Sequence, residues 1–375
     1  MATKLKPFIT IGPGQIIKRN LKALNWTQND LAEIISMRPE TISQLIQNKQ
    51  GITPDTAIRL GKAFNSSPEF WLNLAQAYQL RMKEETEINR GIAVKAEIRK
   101  YMPLQEMKKK GWITFEGDVP SQVKAYCQFW NLPHHPDNIQ IDVSMYEGSQ
   151  LSFCARQKND DGHFTRYYTL AWLQKVRQSA ALLPSIRYSR PKLEKLYQRI
   201  PEYTRDPLGV KSFLADLCRT GVKFLVVSHL SKTYLDGACF MDGPNPVIAY
   251  TARYDRLDNF WFTIAHEMAH VLLHLKDGND CFIDNLENPA DEDQRESEAN
   301  EKACGVLGVE QLIANAKDYQ HYFSEERLLE TADKSGLDPS IALGFLQHFK
   351  IVDYRCLNRY RRTVMNLIPD HYIAG

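Results

Sequence analysis

Fourteen residues, Trp261 to His274, hold the most concentrated chemistry in the chain: WFTIAHEMAHVLLH, in which His266, Glu267 and His270 spell H-E-x-x-H. On a helix, positions four apart lie one turn apart on one face, about 6 Å from each other. Both imidazoles then reach a single ion of zinc size, with Glu267 beside it and pointing past it. A metal held there lowers the pKa of a bound water, and the carboxylate takes its proton and passes it to a leaving amine. The spacing thus predicts His266 and His270 as ligands and Glu267 as the general base of a peptide hydrolysis. Apolar residues from Phe262 to Leu272 surround the polar ones without Gly or Pro, so the segment reads as a helix buried on most sides. Two His that merely hydrogen-bond to neighbours would be the simpler account. Burying an ionisable trio in so apolar a helix is costly without a purpose, however. His274, one turn beyond His270, could extend the constellation or mark the solvated end of the helix; it is left outside the predicted site.

A catalytic zinc needs a third protein ligand and an open position. The next candidates are Glu296, Glu298 and Glu301 in the helical segment DQRESEANEKACGVL, whose apolar face is given by Ala299, Ala303 and Val306 or Leu307. Positions 296 and 298 lie on nearly opposite faces, and Glu296, three residues before Ala299, is the better placed to face inward. A solvated acidic helix accounts better for Glu298 and Glu301.

HEMAH followed 26 residues after His270 by E-S-E-A-N resembles the ImmA/IrrE family of gluzincin-like metallopeptidases. The resemblance extends upstream through GVKFLVVSHLSKTYLDGACF and PVIAYTARYDRLDNFWFTIAHE. It implies zinc (Zn2+) as cofactor and Glu296, the glutamate opening E-x-x-A-N, as third ligand. Lys302 departs from the family at a position where an aromatic is usual, and no Leu-Leu-x-Pro follows.

The elements that must position these residues read as follows. Strands are expected at Val222–Val227, Ala238–Met241 and Pro246–Thr251, separated by turns at Asp236-Gly237 and Asp242-Gly243-Pro244. They would form a small, mostly antiparallel sheet packed on the H-E-x-x-H helix, with an edge able to pair with an extended peptide. Tyr250, Arg253 and Tyr254 could stabilise an oxyanion, although such residues in a connection are more often structural. Ser324 and Asp338-Pro339 open two further helices in the tail. Arg355, Arg359, Arg361 and Arg362 form a basic patch that could touch nucleic acid but reads more simply as a solvated helix end.

Residues 12 to 80 read as five short helices. Thr27 caps the second with Asp30 as a short capping-box partner, and Pro39, Pro54 and Pro68 open the third, fourth and fifth. A tight turn around Ser36-Met37-Arg38 makes the second and third a helix-turn-helix. Ile42, Leu45 and Ile46 must face the small core, so Glu40, Thr41, Gln44, Gln47 and Asn48 face out, able to reach base edges in a major groove. Gln28, Arg38 and Lys49 are placed for phosphate contacts. A helix bundle with a polar face would show the same pattern. The stretch from Thr27 to Leu80 resembles the HigA branch of XRE-type helix-turn-helix domains throughout its length. That branch implies a dimer that binds operator DNA and neutralises a HigB-like ribonuclease toxin.

The chain has 375 residues, 43% of them hydrophobic and 25% charged, enough for two or three soluble domains. A net charge of +2 hides an uneven distribution: residues 1 to 80 are mildly basic, whereas residues 284 to 301 hold eight acids and one Arg. Seven scattered Cys without a C-x-x-C pair argue against a disulfide framework and a thiolate zinc site, and for a reducing cytoplasm. No apolar run approaches membrane-spanning length, so no membrane partner is expected. Residues 81 to 190 read as a helical linker or middle region, with amphipathic helices in VPSQVKAYCQFW and RYYTLAWLQKVRQSAALL and a turn at Asn159–His163.

The expected fold class is α+β, mostly α: a helix-turn-helix domain at 1–80, the middle region at 81–190, and a zincin-like domain with helical tail at 191–375. The expected function is a dimeric DNA-binding regulator or antitoxin of a toxin–antitoxin-like operon. Its zinc endopeptidase domain would cleave a toxin, another regulatory protein or the regulator itself. The alternative is a HigA-like antitoxin whose metallopeptidase fold is structural or sensory.

Overall fold

The computed structural model describes residues 11–84, 87–133, 163–184, 186–206, 208–275, 281–284, 294–317 and 323–374. The turn expected at Asn159–His163 lies almost wholly outside them. The chain is mostly helical with one small sheet, an α+β class. It divides into two compact units, Met1–Lys95 and Ala96–Gly375.

In the first unit, α1 (Pro13–Leu24), α2 (Gln28–Ile34), α3 (Pro39–Ile46), α4 (Pro54–Ala63) and α5 (Pro68–Glu84) follow the punctuation of the sequence. Prolines occupy the first helical position of α3 and α4, where a missing N–H costs nothing. At α2 the Thr27 amide donates to Asp30 Oδ2 at 2.6 Å and the Asp30 amide donates back to Thr27 Oγ1 at 3.1 Å. Ser36 turns the chain with φ of 50°. Ile17, Leu31, Ile42, Leu45, Leu60 and Trp71 close the core beneath.

The second unit begins within α6 (Glu87–Tyr101) and continues through α7 (Leu104–Lys109), α8 (Val119–Trp130) and α9 (His163–Ala181). The region 81–190, expected as a separate middle, is therefore divided at Lys95. Its later part binds the sheet and the loop after the first strand. Trp172 Nε1 donates to the Val227 carbonyl at 2.8 Å, Lys110 Nζ to Ser228 Oγ at 2.8 Å, and the Ser231 amide to Glu106 Oε1 at 2.8 Å.

Then come α10 (Arg190–Gln198), α11 (Ile200–Thr204), α12 (Gly209–Arg219), β1 (Lys223–Val226), β2 (Gly237–Asp242), β3 (Asn245–Tyr250) and α13 (Leu257–Leu273). The sheet order is β1-β3-β2-β4, with β4 (Cys281–Asp284) last. β1 runs parallel to β3, and the β3–β2 and β2–β4 pairs are antiparallel. The last elements are α14 (Gln294–Val306), α15 (Val309–Ala316), α16 (Glu325–Ser335) and α17 (Pro339–His348). The tail is not a helix: it runs in short 3-10 turns, and the Ala374 amide donates to Val226 at 2.9 Å. Two of its arginines serve the fold: Arg361 donates to Gln347 and Arg362 to Asp338. No helix among the described residues is long and apolar enough to cross a membrane.

Helix α13 is the axis of this unit. Fourteen of its 17 residues are buried, so each face must meet a packed neighbour. Its start is tied to the tail: Asp255 Oδ1 accepts from the Val364 and Met365 amides, both at 2.8 Å, and the Leu257 amide donates to Arg362 at 2.9 Å. At its other end Arg190 Nη2 donates to the Leu272 carbonyl at 2.7 Å, placing a cation at the negative end of the helix.

Thr27→Ala removes one arm of the α2 capping box and should lower the stability of the first unit by about 1 kcal/mol. Amide exchange across residues 28–46 measures it; unchanged protection would show the box to be dispensable. The backbone hydrogen bond from Thr27 holds the Asp30 carboxyl below its ordinary value. The support from Asp30 is therefore present above that ordinary value and is lost as pH falls through the lowered one.

Candidate metal centre and nucleic-acid interface

The helix-turn-helix presents its polar residues as its periodicity requires. Gln28, Arg38, Glu40, Gln44, Gln47 and Lys49 are exposed and Thr41 is half-buried, while Ile42, Leu45 and Ile46 point to the core. Asn48 is placed otherwise. Its Oδ1 accepts the Gly14 amide at 2.8 Å, and its backbone is left-handed with φ of 55°. The side chain expected to read bases thus ties the start of α1 to the end of α3. Gly14 makes this close approach possible, because a Cβ there would lie 2.1 Å from the Ile46 carbonyl oxygen.

In the second unit α13 carries His266 and His270 one turn apart, and α14 brings Glu296 against them. His266 Nε2 and His270 Nε2 lie 2.9 Å apart, and the Glu296 oxygens stand 3.4 Å from the first and 3.6 Å from the second. These three ligand atoms fall within 4.8 Å of one another. Metal–nitrogen distances of about 2.0–2.1 Å in a tetrahedral site imply ligand separations of roughly 3.3 Å, so the nitrogen–nitrogen–oxygen set fits one zinc-sized ion. Both imidazoles are buried, whereas the Glu296 side chain is 17% exposed, which leaves the access on its side.

Glu267 is fully buried beside the pair, against the first residue of β2. A Cβ at Gly237 would lie 2.6 Å from Glu267 Oε1 and 2.8 Å from Thr263 Cγ2, so only glycine leaves this carboxylate its place. Phe282 of β4 stacks on the His270 ring with centroids 4.4 Å apart and planes 15° apart.

The other candidates separate cleanly. Glu298, on the same helix as Glu296, is half exposed and accepts from His274 rather than joining the trio. Glu301 is exposed. Tyr250 spends its hydroxyl on the Tyr254 carbonyl and on Asn259, both at 3.1 Å, and burial pushes its pKa well above the usual range. It is a structural residue. Arg253 lies over the rings of Tyr234 and Tyr254. His274 is the residue that sequence reasoning left out. Its i+4 spacing from His270 was visible, but its partner Glu298 lies on another helix.

Comparison with known proteins matches residues 17–71 to the Helix-turn-helix family and residues 221–332 to the family described as IrrE N-terminal-like domain. The uncharacterized HTH-type transcriptional regulator YddM of Escherichia coli (strain K12) is 39% identical over 74 residues, 20% of this chain and 79% of that protein. The chain belongs to the helix-turn-helix transcriptional regulators. Antitoxin HigA-1 of Vibrio cholerae is 33% identical to this regulator over 101 residues, 25% of this chain and 92% of the antitoxin. An addiction module antidote protein of the HigA family from Coxiella burnetii is 36% identical, covering 20% of this chain and 84% of that one with a TM-score of 0.20. The regulator thus joins a HigA-like helix-turn-helix to an IrrE-like peptidase domain, whose span includes β1 to β4, α13 and α14. Lys302, where the resemblance led an aromatic to be expected, rests its ammonium 5.1 Å from the centre of the Tyr197 ring.

Gly237→Ala should destabilise the second unit by about 1–3 kcal/mol, because the added methyl meets two buried side chains. Thermal unfolding of the full chain measures the loss. An unshifted transition would mean that Glu267 and Thr263 give way freely.

Proposed function

We propose that this regulator binds operator DNA through its first unit and hydrolyses a peptide bond in a regulatory protein through a zinc site in its second. The observation that supports the reading best is the convergence of His266, His270 and Glu296 beside the buried Glu267. In this reading His266, His270 and Glu296 hold the ion. Bound zinc supplies Lewis acidity to a water and to the scissile carbonyl. Glu267, held between Gly237 and α13, accepts the proton of the attacking water and delivers it to the leaving amine. Its apolar enclosure restricts competing water and keeps the carboxylate aimed.

The substrate is an extended segment of a protein. Among the described residues strand β4 is last in the sheet and passes the site through Phe282, so a peptide laid along it would hydrogen-bond to the main chain beside the ligands. Candidate substrates are a paired toxin, a second regulator or the chain's own connecting region. On the DNA side, Gln44 and Gln47 face base edges, Gln28, Arg38 and Lys49 face phosphates, and Glu40 and Thr41 complete the exposed face of α3. Two copies reading a palindromic operator would supply the two half-sites. A ribonuclease toxin of the HigB kind is the partner that the HigA-like part suggests, and the cytoplasm is where such a pair works.

The wild-type chain should carry about one zinc, absent in His270→Ala and Glu296→Ala, while Glu267→Gln keeps the zinc and loses proteolysis of the operon's regulatory proteins. Elemental analysis and a cleavage assay on the same preparations measure both. Wild-type protein free of zinc after zinc is supplied would sink the peptidase reading and leave an antitoxin with a structural second unit. Gln44→Ala should weaken operator binding by about 1–3 kcal/mol without changing zinc content, as read by a mobility-shift titration at fixed salt.

A further inference from the structure

His270 is engaged at both ring nitrogens. Its Nε2 faces His266 and Glu296, while its Nδ1 lies 3.0 Å from Nδ1 of His274. His274, the residue just past the last turn of α13, in turn places its Nε2 3.0 Å from Glu298 Oε2. Glu298 is itself held, because Gln294 Nε2 donates to its other oxygen, Oε1, at 2.7 Å. A line of three side chains therefore runs from half-exposed Glu298, through the largely buried His274, to the buried His270.

One arrangement of the protons joins all three side chains. An ionised carboxylate only accepts, so His274 donates from Nε2. In that arrangement His274 accepts at Nδ1 and His270 carries its proton on Nδ1, across the 3.0 Å contact. His270 Nε2, the atom that faces His266 and Glu296, then carries no proton of its own. The opposite tautomer would put a proton where a cation must sit.

The geometry points to His274 and Glu298 as positioning residues that hold His270 in its metal-ligating tautomer and fix the direction of its ring. This inference rests on the metal-centre reading above. It gives α14 two roles toward α13: Glu296 completes the ligand set, and Glu298, two residues on, sets the proton on a ligand it never touches. Phe282 lies against both rings, 4.4 Å from His270 and 5.6 Å from His274 between centroids, and limits their tilt. Partners of this kind around a metal-ligating imidazole change metal affinity by about 10–100-fold when removed.

The test uses the full chain, with zinc affinity measured by chelator competition and histidine tautomers read from 15N-edited spectra of the zinc-free protein. His274→Ala should weaken zinc binding by about 10–100-fold, and Glu298→Ala should weaken it in the same direction. Glu298→Gln keeps an oxygen that accepts from His274 and should restore affinity to within a few-fold of wild type. Glu298 is half exposed, so its variants test the idea even if His274→Ala folds poorly. In wild type and Glu298→Gln the His270 ring should be protonated on Nδ1, and in Glu298→Ala this preference should be lost. Wild-type and Glu298→Ala proteins with equal zinc affinity, or a wild-type His270 protonated on Nε2, would overturn the positioning role while leaving the zinc site standing. A wild type that binds no zinc would overturn the metal centre and this role together.

Discussion

Everything in the second unit answers to the burial of ionisable side chains inside α13. An imidazole pair and a carboxylate removed from water are each costly unless they find partners, and here all three are buried on one helix. The surroundings supply what water would have given. Glu296 arrives from α14 to face both imidazoles, Phe282 covers one ring, and Gly237 gives up its side chain to leave space for Glu267. The sheet lends Phe224, Cys239, Ile248 and Tyr250 to the same core, and its Gly237 lies against that carboxylate. The ties at both ends of α13, to the tail and to Arg190, then keep the helix from sliding along the sheet.

The first unit was legible almost residue by residue, because its signals are local. A proline at a first helical position or a Thr with Asp three residues on specifies a helix start without reference to the rest of the chain. Asn48 shows where local reading stops. An exposed-looking Asn at the end of α3 has the right chemistry for an adenine, yet its carbonyl is spent on Gly14, 34 residues away. Nothing in its own segment announces that bond. The same limit applies to β4, a four-residue strand that becomes recognisable only once β2 is beside it.

The metal trio was legible for a different reason. The i, i+4 pair is a local signal, and Glu296 was chosen by the face it shares with Ala299 and Ala303, both of which are buried. Glu298 was set aside on that same argument, and it stands with His274 rather than with the other three. Its bond to His274 was invisible because helical periodicity separates faces but does not say what lies opposite the outer one. The middle region was hardest of all. Its helices carry amphipathic patterns, but the pattern cannot tell which surface they cover, and those after Lys95 grip the sheet and the connection after β1.

Lys302 bears on how far the family comparison carries into this chain. An aromatic at that position would pack its whole ring; the lysine instead places its charge over Tyr197. The exchange keeps an attractive contact between α14 and α10 and adds no charge to the buried face of α13. What matters for the site is the register of α14, since sliding it by one residue would swing Glu296 away from the imidazoles and Glu298 away from His274. Two carboxylates two residues apart, one facing His266 and His270 and the other paired with His274, pin that register more firmly than either could alone. The helix that departs from its family in side-chain type is therefore held in place by its own polar contacts, and the departure need not loosen the site.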